Sequence, residues 1–155
     1  MNDFASALGR IPSGLFILTA KKESTRFAML ASWVMQAGFD PPAISVAVQR
    51  DREFAKELLS AGSRITLNIL GDKNLSYLSR FSKKPEGSDP FEGLPIDDNS
   101  GYGPVLMDCH AYLTGEVANS ATAGDHTVYL VEVKGGGLLQ DDSPKVHIRK
   151  NGLKY

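Results

Sequence analysis

Polar side chains interrupt several otherwise apolar segments, at positions where a plain hydrophobic core would not place them. An amide inside the apolar run at residues 65–70 must find hydrogen-bond partners, because an unpaired buried amide costs stability. The residues whose types and spacing could do chemistry are Ser32 beside Trp33, Arg50 and Arg52 around Asp51, Asn68, and Asp125 followed by His126.

The arginine pair favours an anion site. Arg50 and Arg52 lie where an apolar strand pattern gives way to a predicted helix over residues 51–61. Free N–H groups at a helix start and bidentate guanidinium donors both suit a phosphate. Asp51 and Glu53 would repel such an anion unless they point away, and a capped helix with solvated charges is the alternative.

His126 follows Gly124 and Asp125 at the start of a predicted strand. A hydrogen bond from its ring to Asp125 would orient it and raise its affinity for a proton. The chain contains no G-x-S-x-G, H-E-x-x-H or Walker sequence. The three histidines are too widely spaced to predict a metal site, and the single cysteine, Cys109, is expected to be a small buried hydrophobic residue.

Strand patterns dominate the elements that must position these side chains. Strands are predicted at residues 14–20, 27–34, 43–48, 64–70, 111–117 and 127–133, helices at 3–9, 51–61 and 73–82, a long loop at 83–104 and a flexible glycine turn at 135–137. Strands and helices do not alternate strictly, which favours an antiparallel barrel or sandwich over a doubly wound sheet.

Composition fits one domain covering residues 1–155, with a formal net charge of -1. No basic stripe predicts nucleic-acid binding, and no apolar stretch reaches the ~20 residues of a membrane span. The start of the chain lacks the pattern of a signal peptide, so a cytoplasmic location is expected.

Five segments, in order, resemble the flavin reductase-like, FMN-binding split-barrel family. They are ALGRIPSGLFILTA (7–20), MLASWVMQAGFDPPAISVAV (29–48), ITLNIL (65–70), GDHTVYLVEV (124–133) and HIRKNGLKY (147–155). The likeness is strongest to the C-terminal flavin reductase module of cyanobacterial flavodiiron proteins. It implies a mainly β fold, an antiparallel six- to seven-stranded split β-barrel with short helices, and a homodimer with flavin near the subunit interface.

The resemblance also implies site residues. His126 would be the catalytic residue, lying near the flavin and nicotinamide as a positioning or electrostatic group. Arg50 and Arg52 would meet a phosphate where the family commonly has Ser and Thr hydroxyls. Structural roles remain the alternatives for Trp33, Asn68 and Phe81. The implied cofactor-binding set is Met29, Leu30, Ala31, Ser32, Trp33, Gln49, Arg50, Arg52, Asn68, Phe81, Asp125, Arg149 and Tyr155.

The function implied is an NAD(P)H:flavin oxidoreductase that transfers hydride from NADH or NADPH to FMN or FAD. It would work alone or as the reductase module of a flavodiiron protein, with an electron-accepting partner module. Two alternatives stay open: a flavin-binding electron carrier or store without reductase turnover, and a partner-binding module with a degenerate site.

Overall fold

A computed structural model describes residues 3–82 and 89–155. The helices within this part of the chain are α1 Phe4–Gly9, α2 Glu53–Leu58 and α3 Ser76–Ser82. The strands are β1 Phe16–Lys22, β2 Thr25–Ala31, β3 Val34–Phe39, β4 Pro42–Gln49, β5 Arg64–Ile69, β6 Ile96–Asp97, β7 Val105–Leu106, β8 Ala111–Ala123 and β9 His126–Leu138.

Seven strands form one antiparallel sheet in the order β2-β1-β5-β8-β9-β4-β3. β2 and β3 are the two edge strands, yet only Ser32 and Trp33 separate them along the chain. So short a link can join opposite edges only if the sheet curls until those edges are neighbours. The result is an antiparallel barrel that is split between β2 and β3, as the sequence predicted.

Successive side chains of the strands point to opposite faces of the sheet, and each face contributes to its own apolar cluster. Phe16 and Leu18 of β1 point into the barrel, where Ile44, Val46 and Val48 of β4 also pack. Ile17 points outward into a second cluster, which α3 and the segment after it cover. That second cluster, named the outer cluster below, contains Leu15, Ile17, Leu70, Tyr77, Phe81, Phe91, Leu106 and Cys109.

Several predicted boundaries were wrong. The strand expected at residues 27–34 is broken at Ser32 and Trp33, where the chain crosses from one sheet edge to the other. The expected glycine turn at 135–137 lies inside β9, where these glycines pair with residues 112–114 of β8. Helix α2 is shorter than predicted because Leu59 leaves the helical conformation, at φ -105 and ψ 90.

The predicted loop at 83–104 is partly structured. Residues 83–88 lie outside the described part of the chain. Beyond them, β6 pairs with β7, and Phe91 is 2% exposed within the outer cluster. Arg26 of β2 bonds Asp89 at 3.1 Å and Asp98 at 3.0 Å, which fixes this segment to the barrel. Within the described residues, no helix has the length and apolar character needed to cross a membrane.

Candidate functional site

Two adjoining cavities open where the barrel is split. The first has a volume of about 930 Å³ and the second about 680 Å³. Both fall within the ~300–1,000 Å³ range of small-molecule sites in proteins. Residues that line both cavities are Ser32, Trp33, Ala47, Gln49 and Tyr155. The break between β2 and β3 therefore forms the shared wall.

Strand β2 forms one side of the first cavity. Every residue from 27 to 33 lines it, although successive side chains of a strand point to opposite faces. A consecutive run of lining residues means that the cavity meets the edge of the strand, backbone included. Among the described strands β2 pairs only with β1, so its other edge leaves backbone donors and acceptors available to a ligand.

A cation lies at the end of this cavity beside α2. Arg52 is the residue before α2 and lines the first cavity, with Asp51 and Glu53 beside it. The Arg52 guanidinium carbon lies 6.0 Å from the centroid of the Tyr155 ring. Arg50 lines neither cavity; its backbone N–H donates to the carbonyl oxygen of Asp125 at 2.9 Å.

His126 lies in the wall of the second cavity with both ring nitrogens engaged. Its Nδ1 is 2.7 Å from Oδ1 of Asp125, and its Nε2 is 2.5 Å from the hydroxyl oxygen of Tyr155. Asp125 is exposed at the β8–β9 turn, whereas His126 is 8% exposed. The ring is therefore held from two sides, and its line of hydrogen bonds ends at a phenol that lines both cavities.

The indole of Trp33 packs against three of these groups. Its ring centroid is 4.7 Å from that of His126 and 5.4 Å from that of Tyr155. The guanidinium carbon of Arg149 lies 5.0 Å from the indole centroid, within the range of a cation–π contact. A flat, partly exposed aromatic surface with a nearby cation thus stands between the two cavities.

Helix α1 positions the tail that carries Arg149 and Tyr155. The N–H of Arg149 donates to the carbonyl of Gly9 at 3.1 Å, and the N–H of Gly152 to that of Ala5 at 2.6 Å. A Cβ at Gly152 would stand 2.2 Å from the Cβ of Leu8, so only glycine permits this approach. Arg149 also donates to the carbonyl of Lys154 at 3.0 Å, which curls the last residues over Trp33.

Burial and hydrogen bonding shift the pKa values of two acidic groups in opposite directions. Partial burial raises the pKa of the Tyr155 phenol, while Arg52 and Arg149 act against that rise. The hydrogen bond from His126 lowers the pKa of the Asp125 carboxyl. At neutral pH the phenol is protonated and the carboxylate is ionised, so the carboxylate can only accept a hydrogen bond.

Most of the predicted site residues meet at these cavities. Phe81 is both cavity wall and core, because it also packs against Tyr77 and Phe91 in the outer cluster. Those lining the first cavity are Met29, Leu30, Ala31, Ser32, Trp33, Gln49, Arg52, Phe81 and Tyr155. Asp125, His126 and Arg149 line the second.

Arg50 and Asn68 are the predicted residues that the structure does not bring to either cavity. Asn68 is fully buried on β5, and its Nδ2 donates to the carbonyl of Ile17 at 3.1 Å. Its Oδ1 accepts from the N–H of Leu106 at 2.8 Å. The amide is thus satisfied by protein groups, which favours the structural alternative for Asn68.

Sequence reasoning missed part of the lining. Phe27 and Ala28 directly precede the predicted run on β2, and Ala47 and Val48 end the strand pattern predicted over residues 43–48. A wider window around residues 29–33 would have found the first pair. The missed lining of the first cavity comprises Leu15, Phe27, Ala28, Ala47, Val48, Asp51, Glu53, Phe54, Leu78, Arg80, Ser82, Pro90 and His147.

Comparison with known proteins gives a consistent result. The family model described as "Flavin reductase like domain" matches residues 8–152. Diflavin flavoprotein A 1 of Synechocystis sp. is 41% identical over 99% of this chain, which corresponds to 27% of that protein. The chain therefore spans about a quarter (27%) of the length of this curated relative.

Solved structures share the fold at low sequence identity. The NADH:FAD oxidoreductase of Streptomyces globisporus C-1027 aligns with a TM-score of 0.83 and 18% identity, covering 94% of this chain and 87% of that one. The styrene monooxygenase flavin reductase of Pseudomonas putida S12 aligns with a TM-score of 0.80 and 22% identity, covering 95% and 93%. A further structure of the Streptomyces enzyme is in complex with NAD and FAD fragments.

Proposed function

The chain belongs to the flavin reductase-like family, and on that premise we propose that it catalyses hydride transfer from NADH or NADPH to FMN or FAD held at the split of the barrel. One observation carries the proposal. A cavity of about 930 Å³ runs along the open edge of β2, with a cation, Arg52, at the end beside α2.

The donor set of this cavity suits a flavin. A flavin presents a flat apolar ring, a polar edge with both donors and acceptors, and, in FMN and FAD, phosphate. Small and apolar side chains line the strand edge, and its backbone groups can serve the polar edge of the ring. Ser32 and Gln49 add short polar side chains at the end of the strand, and Arg52 supplies a bidentate donor for phosphate.

The chain's own residues bind and align the reactants. Bound flavin would supply the chemistry that accepts a hydride. The open edge of β2 forms one wall of the first cavity, and the indole of Trp33 gives a planar surface beside it. His126, fixed by Asp125, is placed to position a ligand at the second cavity. Alignment of two planar rings is the main requirement of such a transfer.

We also propose a homodimer, formed through the outer face of the β3-β4-β9 region. The strand register places Met35, Ser45 and Leu130 side by side on this face, with Ala47 opposite Val128. Met35 is 69% exposed and Leu130 42% exposed. These five side chains are small or apolar, and Met35, Ser45, Ala47 and Val128 also line the second cavity, so a second copy on this face would complete that cavity.

The electron acceptor proposed is a partner module of the same polypeptide. The matched relative is named a diflavin flavoprotein and is nearly four times as long as the matched segment, since the alignment covers 27% of it. A reductase domain in such a protein would pass electrons from its reduced flavin to a second redox centre outside the present sequence.

Flavin-dependent oxidation of NAD(P)H by the purified chain tests the proposal. Trp33 is the only tryptophan and lines both cavities, so its fluorescence reports flavin binding independently of turnover. Saturable quenching together with saturable NADH or NADPH oxidation is expected. Tight flavin binding without NAD(P)H oxidation would indicate an electron carrier in place of a reductase. The absence of quenching would contradict the proposed flavin site.

A further inference from the structure

Tyr155 bears a hydroxyl group at the junction of the two cavities. Its ring packs on Trp33 at 5.4 Å between centroids and also lies near the Arg52 guanidinium. The residue is 65% exposed, so a ligand entering either cavity can reach it. Within the described part of the chain, its hydroxyl forms a hydrogen bond with Nε2 of His126, at 2.5 Å.

The direction of each hydrogen bond in this line follows from chemistry. An ionised carboxylate can only accept, so Asp125 accepts from Nδ1–H of His126. A neutral imidazole protonated at Nδ1 then has a lone pair at Nε2, which accepts the Tyr155 hydroxyl proton. The phenol oxygen of Tyr155 is left with lone pairs and no proton to offer. It can only accept from a ligand.

The charged groups facing the phenol are Arg52 and Asp51 before α2, Arg149 on the tail, and Asp125. Arg50 faces Asp125 from the same side. The arginines are permanently charged and act equally at every pH.

We propose that Tyr155 is a ligand-contacting residue whose hydroxyl accepts a hydrogen bond from an amide-type N–H beside a planar ring, with its polarity set by the Asp125–His126 pair. The inference rests on the proposed function. Two ligands carry this chemistry: the flavin, through its ring imide N–H, and the nicotinamide, through its carboxamide. Asp125 and His126 act through Tyr155 as positioning residues.

The variant Tyr155→Phe tests this assignment, because it keeps the aromatic ring and removes the hydroxyl. Riboflavin is the probe for the flavin arm, since it lacks a phosphate that titrates near neutral pH, and its binding is measured by quenching of Trp33 fluorescence. Kinetic constants for NADH and NADPH in the presence of saturating flavin form the nicotinamide arm. Tyr112→Phe is the matched control, because Tyr112 on β8 lines neither cavity.

Loss of the hydroxyl is expected to reduce the affinity for the contacted ligand by about fivefold, which corresponds to one hydrogen bond near 1 kcal/mol. A change in riboflavin affinity alone assigns the contact to the flavin, and a change in KM with unchanged kcat assigns it to the nicotinamide. The same ligand should also bind more weakly to His126→Gln, because the Tyr155 hydroxyl then loses its hydrogen-bond partner at Nε2.

Equal affinities and equal kinetic constants for the parent and Tyr155→Phe would overturn the assignment while leaving the reductase proposal intact. Failure of the parent protein to bind riboflavin or to oxidise NAD(P)H would overturn both. A loss of affinity in His126→Gln that is undiminished when Tyr155→Phe is already present would show that His126 acts without the phenol, and would also contradict the inference.

Discussion

Trp33 and the side chains around it determine what the site can hold. The indole packs against His126 and Tyr155, and Arg149 lies 5.0 Å from its centroid. Each contact is individually small, on the order of 0.5–1.5 kcal/mol for an aromatic pair. Together they fix one planar surface at the boundary between two cavities, and a planar ligand needs such a surface for alignment.

Arg52 and Arg50 offer a matched test of the phosphate contact. Only Arg52 lines a cavity, although both guanidinium groups carry the same charge within three residues of chain. Arg52→Ala is expected to weaken FMN binding by about tenfold, the effect of a charge-assisted hydrogen bond of ~1.5 kcal/mol. Arg50→Ala should leave it unchanged, and both variants should bind riboflavin like the parent. The measurement is quenching of Trp33 fluorescence by each flavin.

Equal losses in Arg50→Ala and Arg52→Ala would contradict a specific contact and indicate general electrostatic attraction. Sequence reasoning treated the two arginines as equivalent. Their separation depends on where β4 ends and α2 begins, because Arg50 turns toward Asp125 of the neighbouring β8–β9 turn. A contact between elements so distant in sequence cannot be seen in a local pattern.

The buried amide of Asn68 on β5 helps to hold the segment before β7 in place. β5 carries Thr66 and Asn68 on its outer face, where Thr66 donates to the carbonyl of Gly103 at 2.6 Å. Asn68 accepts from Leu106, and a Cβ at Gly103 would stand 2.1 Å from the carbonyl oxygen of Thr19. These contacts hold the segment before β7 flat against the barrel.

Asn68→Ala is therefore expected to reduce the free energy of unfolding by about 1–3 kcal/mol, because the N–H of Leu106 loses its acceptor in a buried position. Flavin affinity, corrected for the folded fraction, should not change. Denaturant unfolding and a fluorescence titration on the same variant measure the two quantities. A large loss of flavin affinity in a variant of unchanged stability would restore the cofactor role that the resemblance implied for Asn68.

The burial of Cys109 in the outer cluster predicts low reactivity of its thiol in the native protein. The thiol is 0% exposed, and burial raises its pKa to about 12. The thiolate is the nucleophile that attacks thiol reagents, so the native protein should react slowly at neutral pH and rapidly once unfolded. Cys109 is the only cysteine, so the labelling signal is unambiguous. Rapid labelling of the native protein would contradict the packing of this cluster.

The sign of the pH dependence follows from the same shift. An unfolded cysteine ionises near pH ~8.5, whereas the folded thiol of Cys109 stays protonated until about 12. The unfolded state therefore loses its proton first as pH rises. Stability that is fully present below pH ~8.5 should decline between these values, and Cys109→Ala should lack this part of the alkaline decline.

Element order and type were largely predictable, because strand alternation and helical spacing are local signals. The positions of β1, β4, β5 and α3 agree with those signals to within a few residues. The break at Ser32 and Trp33 was not predictable, since the apolar run continues through it. Only the closure of the whole sheet requires the chain to change edges there, and the pairing of Gly135–137 with β8 likewise depends on a partner strand.

The split barrel leaves Met35 and Leu130 exposed on its outer β3-β4-β9 face, within residues 3–82 and 89–155. We expect Leu130→Glu, which places a charge on this face, to shift the protein from dimer to monomer in sedimentation analysis. Leu138→Glu is the matched control on the same strand, where Leu138 is 82% exposed near the far end of β9. A parent protein that is monomeric at all concentrations, or dimer loss in Leu138→Glu alone, would contradict the proposed interface.

The family and the fold were accessible from sequence because five segments keep their order along the chain. Only part of the site could be predicted from the sequence, because Tyr155, Trp33 and His126 are brought together by the anchoring of the tail to α1. Sequence likeness marked each of these residues separately. Their hydrogen-bonded arrangement, with the phenol between two cavities, is a property of the folded molecule.

Anaerobic reduction of the flavin-loaded protein by NADH or NADPH tests the central claim most directly. The flavin absorbance band should bleach in a single saturable phase with at least one of the two donors, and the faster donor identifies the physiological class. Free flavin mixed with the same donor without protein is the control. A protein that binds flavin but does not accelerate bleaching with either donor would contradict the reductase function.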